Sequence, residues 1–152
     1  MNICFFFIRC ILGGVLILSA ILKFVSIDSF AQEVQLYIDL YLLNFLHEWT
    51  RYIAITVCVS ELAIGILTLT RLYEKFISLV LVVVFSFFLY LTSLNAFFPS
   101  KYYGSIESCG CFGELIHFTP IESFYKSVVL WSLSVIMLAM MIKSNGVVIF
   151  KK

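Results

Sequence analysis

Four stretches of this chain are each long and apolar enough to cross a lipid bilayer. That feature limits what the chain can fold into more than any other. A spanning helix needs ~20 mostly apolar residues. Residues 3–24 qualify, interrupted by Arg9 and ending on Lys23 and Phe24. So do residues 52–70, which carry Glu61, and residues 76–98, which hold no charge. The fourth stretch is residues 120–142, with its apolar core after Lys126. No segment alternates in the manner of a barrel strand. Lipid offers the backbone no hydrogen-bonding partners, so helices are the expected solution.

Composition agrees. The chain is 62% apolar and 12% charged, against about 45–50% and about 25% in ordinary soluble domains. A soluble fold of 152 residues buries only about 70% of the surface its unfolded chain exposes. Disorder and a typical cytosolic enzyme are therefore excluded. The net charge of +1 provides no basic field, so nucleic acid is excluded as a partner. The expectation is an all-α integral membrane protein, a four-transmembrane-helix bundle forming one membrane domain over residues 1–152, with the lipid bilayer as its first partner.

Residues 3–24 have a rival reading as a cleaved signal peptide. Such a peptide starts with positive charge and ends at a small-residue cleavage site. Residues 1–8 carry no charge, and Lys23 and Phe24 follow the apolar run directly. A retained span is the expectation. With both termini inside, Arg9, Arg71, Lys75, Lys143, Lys151 and Lys152 lie inside. Lys23, Arg51, Lys101 and Lys126 lie outside. This bias predicts a multi-pass protein of a bacterial inner membrane with its N- and C-termini in.

Both longer loops then face outward. In the first, Phe30, Val34, Tyr37, Ile38, Tyr41, Leu42 and Phe45 fall on one helical face. Gln32, Glu33, Gln35 and Asp39 lie mostly off it, and Ser29 with Gln32 has capping-box spacing. An amphipathic helix over residues 29–46 is expected on the membrane surface or folded over the bundle. Its plain role is a roof over helix ends, and its sharper role is a substrate gate. In the second loop, residues 99–119, the end is marked by Thr119, Pro120 and Glu122. These supply an N-cap, a first-turn proline and a capping-box acid.

That second loop holds the chain's most informative stretch, Ser108-Cys109-Gly110-Cys111-Phe112-Gly113. An extracytoplasmic compartment permits disulfides. Glycine between the two cysteines relaxes the backbone demand of so tight a ring. A strained, exposed disulfide tends to be oxidising and labile. The pair is thus a candidate thiol–disulfide switch, and a static staple and half of a metal site are the other readings. A metal site needs about four ligands, and only His117 and Glu114 stand near. No metal is expected. Cys4 and Cys10 lie in the first span, where a thiol packs as a small apolar group.

At these residues the chain resembles the MauE-like membrane proteins of the wider DoxX-related group. Cys109-Gly110-Cys111-Phe112-Gly113 before the fourth helix carries most of the resemblance. Ser19, Lys23 and Phe24 are similar to that group's small-x-x-x-Lys-Phe ending, and Glu61 with Gly65 to its Glu-x-x-x-Gly. The order of spans and the long first loop match too, so the likeness covers nearly the whole chain. The resemblance implies a protein that helps a periplasmic, disulfide-rich dehydrogenase subunit of methylamine metabolism to mature, by carrying oxidising equivalents. Its partner would be thioredoxin-like or another disulfide-containing periplasmic protein. Relatives in the wider group are linked to quinone-coupled sulfur chemistry, so quinone is the cofactor the resemblance suggests. The four-helix layout is also similar to vitamin K epoxide reductase-type thiol oxidases, whose Cys-x-x-Cys this sequence lacks.

Charge inside a bilayer is expensive and points to function by default. Glu61 is expected as a buried anchor paired with Arg9 or Lys23, or as a proton shuttle. Cys58, three residues earlier, shares its helix face. It lies about 9 Å below the outer end at ~1.5 Å per residue, as a packing residue or as a relay from the loop pair. Lys23 is expected as an interfacial anchor, or as a cation lowering a thiol's pKa. Arg9 is expected to snorkel at the inner end. Ser86, Tyr90 and Ser93 share a face suited to interhelical hydrogen bonds. Gly13, Gly14 and Ala20 are expected to let a neighbouring helix approach.

The sequence thus frames three hypotheses. The first is a thiol–disulfide redox protein with Cys109 and Cys111 as the reacting pair and Glu61, Lys23 and Cys58 as accessories. The second is a non-catalytic assembly or transport factor. The third is a quinone-linked oxidoreductase subunit.

Overall fold

The computed structural model describes residues 3–40, 44–70, 73–97 and 119–149. The described residues form five α-helices and no strand. They are α1 (Ile3–Val25), α2 (Ile27–Leu40), α3 (Thr50–Thr70), α4 (Glu74–Phe97) and α5 (Pro120–Ile149), with a short 3-10 helix (Asn44–Trp49) leading into α3. Four of them, α1, α3, α4 and α5, are long and apolar enough to span a membrane. The chain is an all-α, multi-pass membrane bundle. The fourth helix runs past the expected end at residue 142, to Ile149.

The bundle is apolar inside and out. Leu12, Leu16, Leu81, Phe85 and Met137 meet at its centre. Phe6, Phe7, Leu18, Phe76, Val83, Phe87, Val129 and Ile136 point outward. Water would not tolerate so continuous an apolar surface; hydrocarbon does. In lipid, close packing replaces the hydrophobic effect as the force between helices, and small residues collect where backbones approach. Ala20 and Ala54 are fully buried, as are Ser78, Thr92 and Ser134. The buried hydroxyls bond carbonyls of their own helix, as Ser78 does to Glu74 O at 2.7 Å and Ser127 to Ser123 O at 2.9 Å. They therefore add small volume without leaving an unmet polar group.

Helix α1 packs along α3, α4 along α5, and α1 also touches α5. Gly13 and Gly65 face each other across the α1–α3 contact. Gly14 does not share that role: a Cβ placed there meets nothing within 4 Å.

Helix α2 starts earlier than the Ser29–Gln32 spacing suggests. The chain barely breaks at Ser26, whose N–H donates to Leu22 O at 3.2 Å and whose carbonyl accepts from Phe30 N–H at 3.0 Å. Ser29 thus sits inside the helix rather than capping it. The described helix spans Ile27–Leu40, and the 3-10 helix Asn44–Trp49 occupies the end of the expected range, with Phe45 exposed. Phe30 and Ile38 of the expected apolar face are buried. So is Glu33, which the periodicity assigned to the polar side. Phe30 packs with Ala54 and Cys58, so α2 lies against the first half of α3.

The start of α5 follows the sequence closely. Thr119 N–H donates to Glu122 Oε2 at 2.9 Å, and Glu122 N–H donates to Thr119 Oγ1 at 3.3 Å. This reciprocal pair satisfies two of the donors this helix start leaves over, and Pro120 has no N–H to satisfy. Thr119→Ala is expected to cost about 1 kcal/mol. Thermal unfolding in detergent micelles would read that loss as a lowered midpoint, and an unchanged midpoint would show the cap to be idle.

Candidate functional site

The polar chemistry of the bundle gathers at two levels. At one end, Arg9 reaches from α1 to the α3–α4 turn. Its Nη1 lies 2.9 Å from Glu74 Oε1, and its Nε donates to Thr68 O. Thr68 belongs to the last turn of α3, where carbonyls lack helical partners. A cation at that C-terminus and an acid in the first turn of α4 both suit the helix dipoles. Arg9 is only 3% exposed, so it does not snorkel out of the bundle. It ties three helices together.

The second level lies toward the other end. Lys23 Nζ donates to Glu61 Oε1, and Ser19 Oγ donates to Glu61 Oε2 at 3.3 Å. Of the two partners the sequence offered Glu61, the fold uses Lys23. Lys23 is 1% exposed and Glu61 2%. The expectation that Lys23 anchors the interface is therefore corrected: its ammonium turns inward. It stands 4.9 Å from the Phe30 ring centroid and 5.0 Å from that of Phe88. Ring faces carry partial negative charge and attract a cation. One ammonium on α1 thus contacts α2, α3 and α4.

The helix period explains the grouping. On α3, Ala54, Cys58, Glu61, Gly65 and Thr68 are all buried, at spacings of three and four. On α1, Gly13 and Ile17 meet Gly65, and Ser19 and Lys23 meet Glu61. Gly13 and Gly65 bring the two backbones close enough for Ser19 and Lys23 to reach the carboxylate.

Cys58 is fully buried beside Phe30 and Ala54, one turn from Glu61. Its thiol is free. Cys10 is half-buried, whereas Cys4 is exposed on the outside of α1 and does not pack in the bundle. Trp131 Nε1–H donates to Ser86 Oγ at 2.9 Å, a bond between α5 and α4. Ser93 instead bonds its own helix, at Tyr90 O.

Cys109 and Cys111 lie outside the described residues, as do Glu114 and His117. The helices that flank them are described. The Phe97 ring at the end of α4 meets the Phe124 ring at the start of α5 edge-on, with centroids 5.2 Å apart. The end of α4 and the start of α5 are therefore neighbours. The same end carries the start of α3 and of α2, where Arg51 Nη2 lies 3.3 Å from Asp28 Oδ1. Among the described residues no group of three or more His, Cys, Asp or Glu side chains is placed to hold a metal.

One small cavity lies beside the buried ion pair, lined by Val15, Leu16, Ser19, Phe85, Phe88, Lys126, Ser127 and Leu130. Ser127 was not singled out in the sequence, because a serine in a span carries no signal of its own.

Comparison with known proteins adds the lineage. Residues 1–142 match the family model described as methylamine utilisation protein MauE. The chain is 32% identical over 142 residues to a protein named Protein TlpB, from Flavobacterium psychrophilum; the match covers 91% of this chain and 37% of that protein. The chain thus spans well under half the length of that curated relative. No solved structure matches.

Proposed function

The chain belongs to the MauE family, and on that premise we propose that it exchanges disulfides through Cys109 and Cys111 in support of a periplasmic partner's maturation. In this reading the bundle sits in a bacterial inner membrane with both termini inside. The cysteine segment and α2 then face the periplasm. The observation that carries the proposal is the Cys-Gly-Cys segment itself, set between α4 and α5. The Phe97–Phe124 contact supports it, because it holds together the two helix ends that the segment joins in sequence.

The exchange runs in two steps. A thiolate of the partner attacks one sulfur of the Cys109–Cys111 disulfide, whose S–S bond breaks as a mixed disulfide forms. The partner's second thiolate then attacks the mixed disulfide and closes the partner's own. Two electrons pass to Cys109 and Cys111, which leave as thiols after taking two protons. Each step is reversible, and the relative reduction potentials set its direction. A thioredoxin-like disulfide protein is the co-reactant that resets the pair.

Quinone is the other acceptor that the family likeness suggests. The cavity beside Ser19 and Ser127 has a volume of about 20 Å³, enough for about one water. A quinone ring does not fit there as the side chains stand, and no step is routed through one.

Acid quenching of cells followed by thiol alkylation tests the proposal. Cys109 and Cys111 should change redox state with added reductant. Cys111→Ser or Cys109→Ser should hold a mixed disulfide with a partner. If both variants leave all partner redox states and phenotypes unchanged, the pair is a structural staple. The chain is then a non-catalytic assembly or transport factor.

A further inference from the structure

We infer that α4 and α5 swing together against α1 and α3, opening the bundle at its α2 end and hinging at the α3–α4 turn. The inference stands apart from the cysteine chemistry and holds whether or not that pair reacts.

Each helix pair is tied along its length. In the first, Arg9 Nε donates to Thr68 O near the turn, Gly13 and Gly65 meet midway, and Ser19 and Lys23 reach Glu61 beyond them. In the second, Ile77 and Leu81 share a buried cluster with Met137 and Met141. Trp131 bonds Ser86 midway, and the Phe97 and Phe124 rings meet at the far end. A pair packed this closely transmits force and moves as one body.

The join between the two pairs is lopsided. Its buried apolar side chains come from positions 5–16 of α1, 77–85 of α4 and 137–141 of α5. They lie in the half of the bundle nearer the α3–α4 turn, or at its border. Arg9 clamps the same end, 2.9 Å from Glu74. Toward the α2 end the buried side chains of α4 and α5 are Thr92, Ser123 and Ser127. Thr92 and Ser127 bond their own helices. Among the described residues no buried apolar cluster joins the pairs there; the second cluster, with Phe30, Ala54 and Cys58, belongs to α2 and α3. The half-open cleft lined by Leu16, Phe85, Phe88 and Leu130 lies where the packing gives out.

The charges make the two ends unequal. At the α2 end the Lys23 ammonium faces the Phe88 ring of α4, 5.0 Å from its centroid. A ring face holds a cation less tightly than a carboxylate does. When α4 withdraws, Lys23 keeps Glu61, because both belong to the first pair. No buried charge is stranded. At the turn end, separation would part Arg9 from Glu74. The hinge therefore belongs at the turn. There Tyr73 holds φ at 52°, a left-handed conformation rare for a residue with a Cβ. Hinges are a few loop or helix-end residues that absorb dihedral change. The swing uncovers the Lys23–Glu61 pair on its Phe88 side. It also shifts, relative to α2, the two helix ends that residues 98–118 join in sequence.

Double electron–electron resonance on the full chain in liposomes tests the swing. Nitroxides carried on encoded p-acetylphenylalanine leave the native cysteines in place. One label pair, at Tyr52 of α3 and Tyr125 of α5, spans the α2 end. A second, at Phe7 of α1 and Phe76 of α4, spans the turn end. All four side chains are exposed. The expected result is a closed and an open population at the α2 end and one narrow distance at the turn end. Phe88→Leu keeps apolar bulk but removes the ring face. It should shift the α2-end distribution to the longer distance and leave the turn end unchanged. Should that variant fail to fold, the two wild-type distributions decide alone. One narrow distance at both ends of the wild type overturns the proposal. So does a folded Phe88→Leu protein that leaves the α2 end unchanged or broadens both ends alike.

Discussion

Lys23→Met or Glu61→Leu alone is expected to destabilise the bundle by about 3–5 kcal/mol, because each leaves its partner charged and enclosed. In Lys23→Met the carboxylate keeps, among the described residues, the Ser19 hydroxyl as its donor. In Glu61→Leu the ammonium is left among Phe30 and Phe88, whose ring faces offset only part of its lost hydration. The double variant should recover most of the loss, since no charge then remains to be desolvated. Unfolding midpoints of the four proteins in one detergent form a cycle that isolates the coupling. Singles as stable as the wild type, or a double as weak as either single, would refute the account. A stable double variant has a second use. It allows membrane function to be compared with and without the pair at equal stability.

The second large effect is expected at Gly65. A Cβ built there lies 2.8 Å from Ile17 Cγ1, 3.1 Å from Gly13 O and 3.2 Å from Ile17 N. Two of these neighbours are backbone, so α1 and α3 must separate. Gly65→Leu is expected to cost about 1–3 kcal/mol by overpacking, and also to lengthen the Ser19–Glu61 bond that depends on this contact. Gly14→Ala is the matched control. With open space around it, it should gain about 0.5–1 kcal/mol from restricting the unfolded chain. Melting of the two variants side by side reads the contrast. Equal midpoints would mean that the α1–α3 contact is looser than described.

Much of this was legible in the sequence, and the exceptions share a cause. The four spans and the α5 cap follow from patterns local to one helix. So does the shared face of Cys58, Glu61 and Gly65. What a single helix cannot reveal is its neighbour. Glu61 had two possible cations, and only the pairing of α1 with α3 selects Lys23. Arg9 looked like a snorkelling residue because its partner Glu74 lies 65 positions away. Lys23 looked interfacial because it ends an apolar run, and nothing local signals that its side chain turns inward to Glu61. Glu33 falls off the apolar face of α2 in the sequence, yet it is buried. Helix α2 began early because α1 continues almost unbroken through Ser26. The cysteine pair stood out in the sequence by spacing and setting alone, and its residues lie outside those described.

The two internal ion pairs also bear on how the protein is made. Synthesis proceeds from the N-terminus, so α1 emerges before α3 and α4, carrying Arg9 and Lys23. Their acidic partners follow 65 and 38 residues later. Arg9 lies in the first third of α1 and Lys23 in its last turn, so each long side chain can reach toward an interface while its partner is absent. Until α3 and α4 emerge, neither cation has its acidic partner. The charges that lock the finished bundle thus close in sequence: the Lys23 pair needs α3, and the Arg9 pair needs α4 as well.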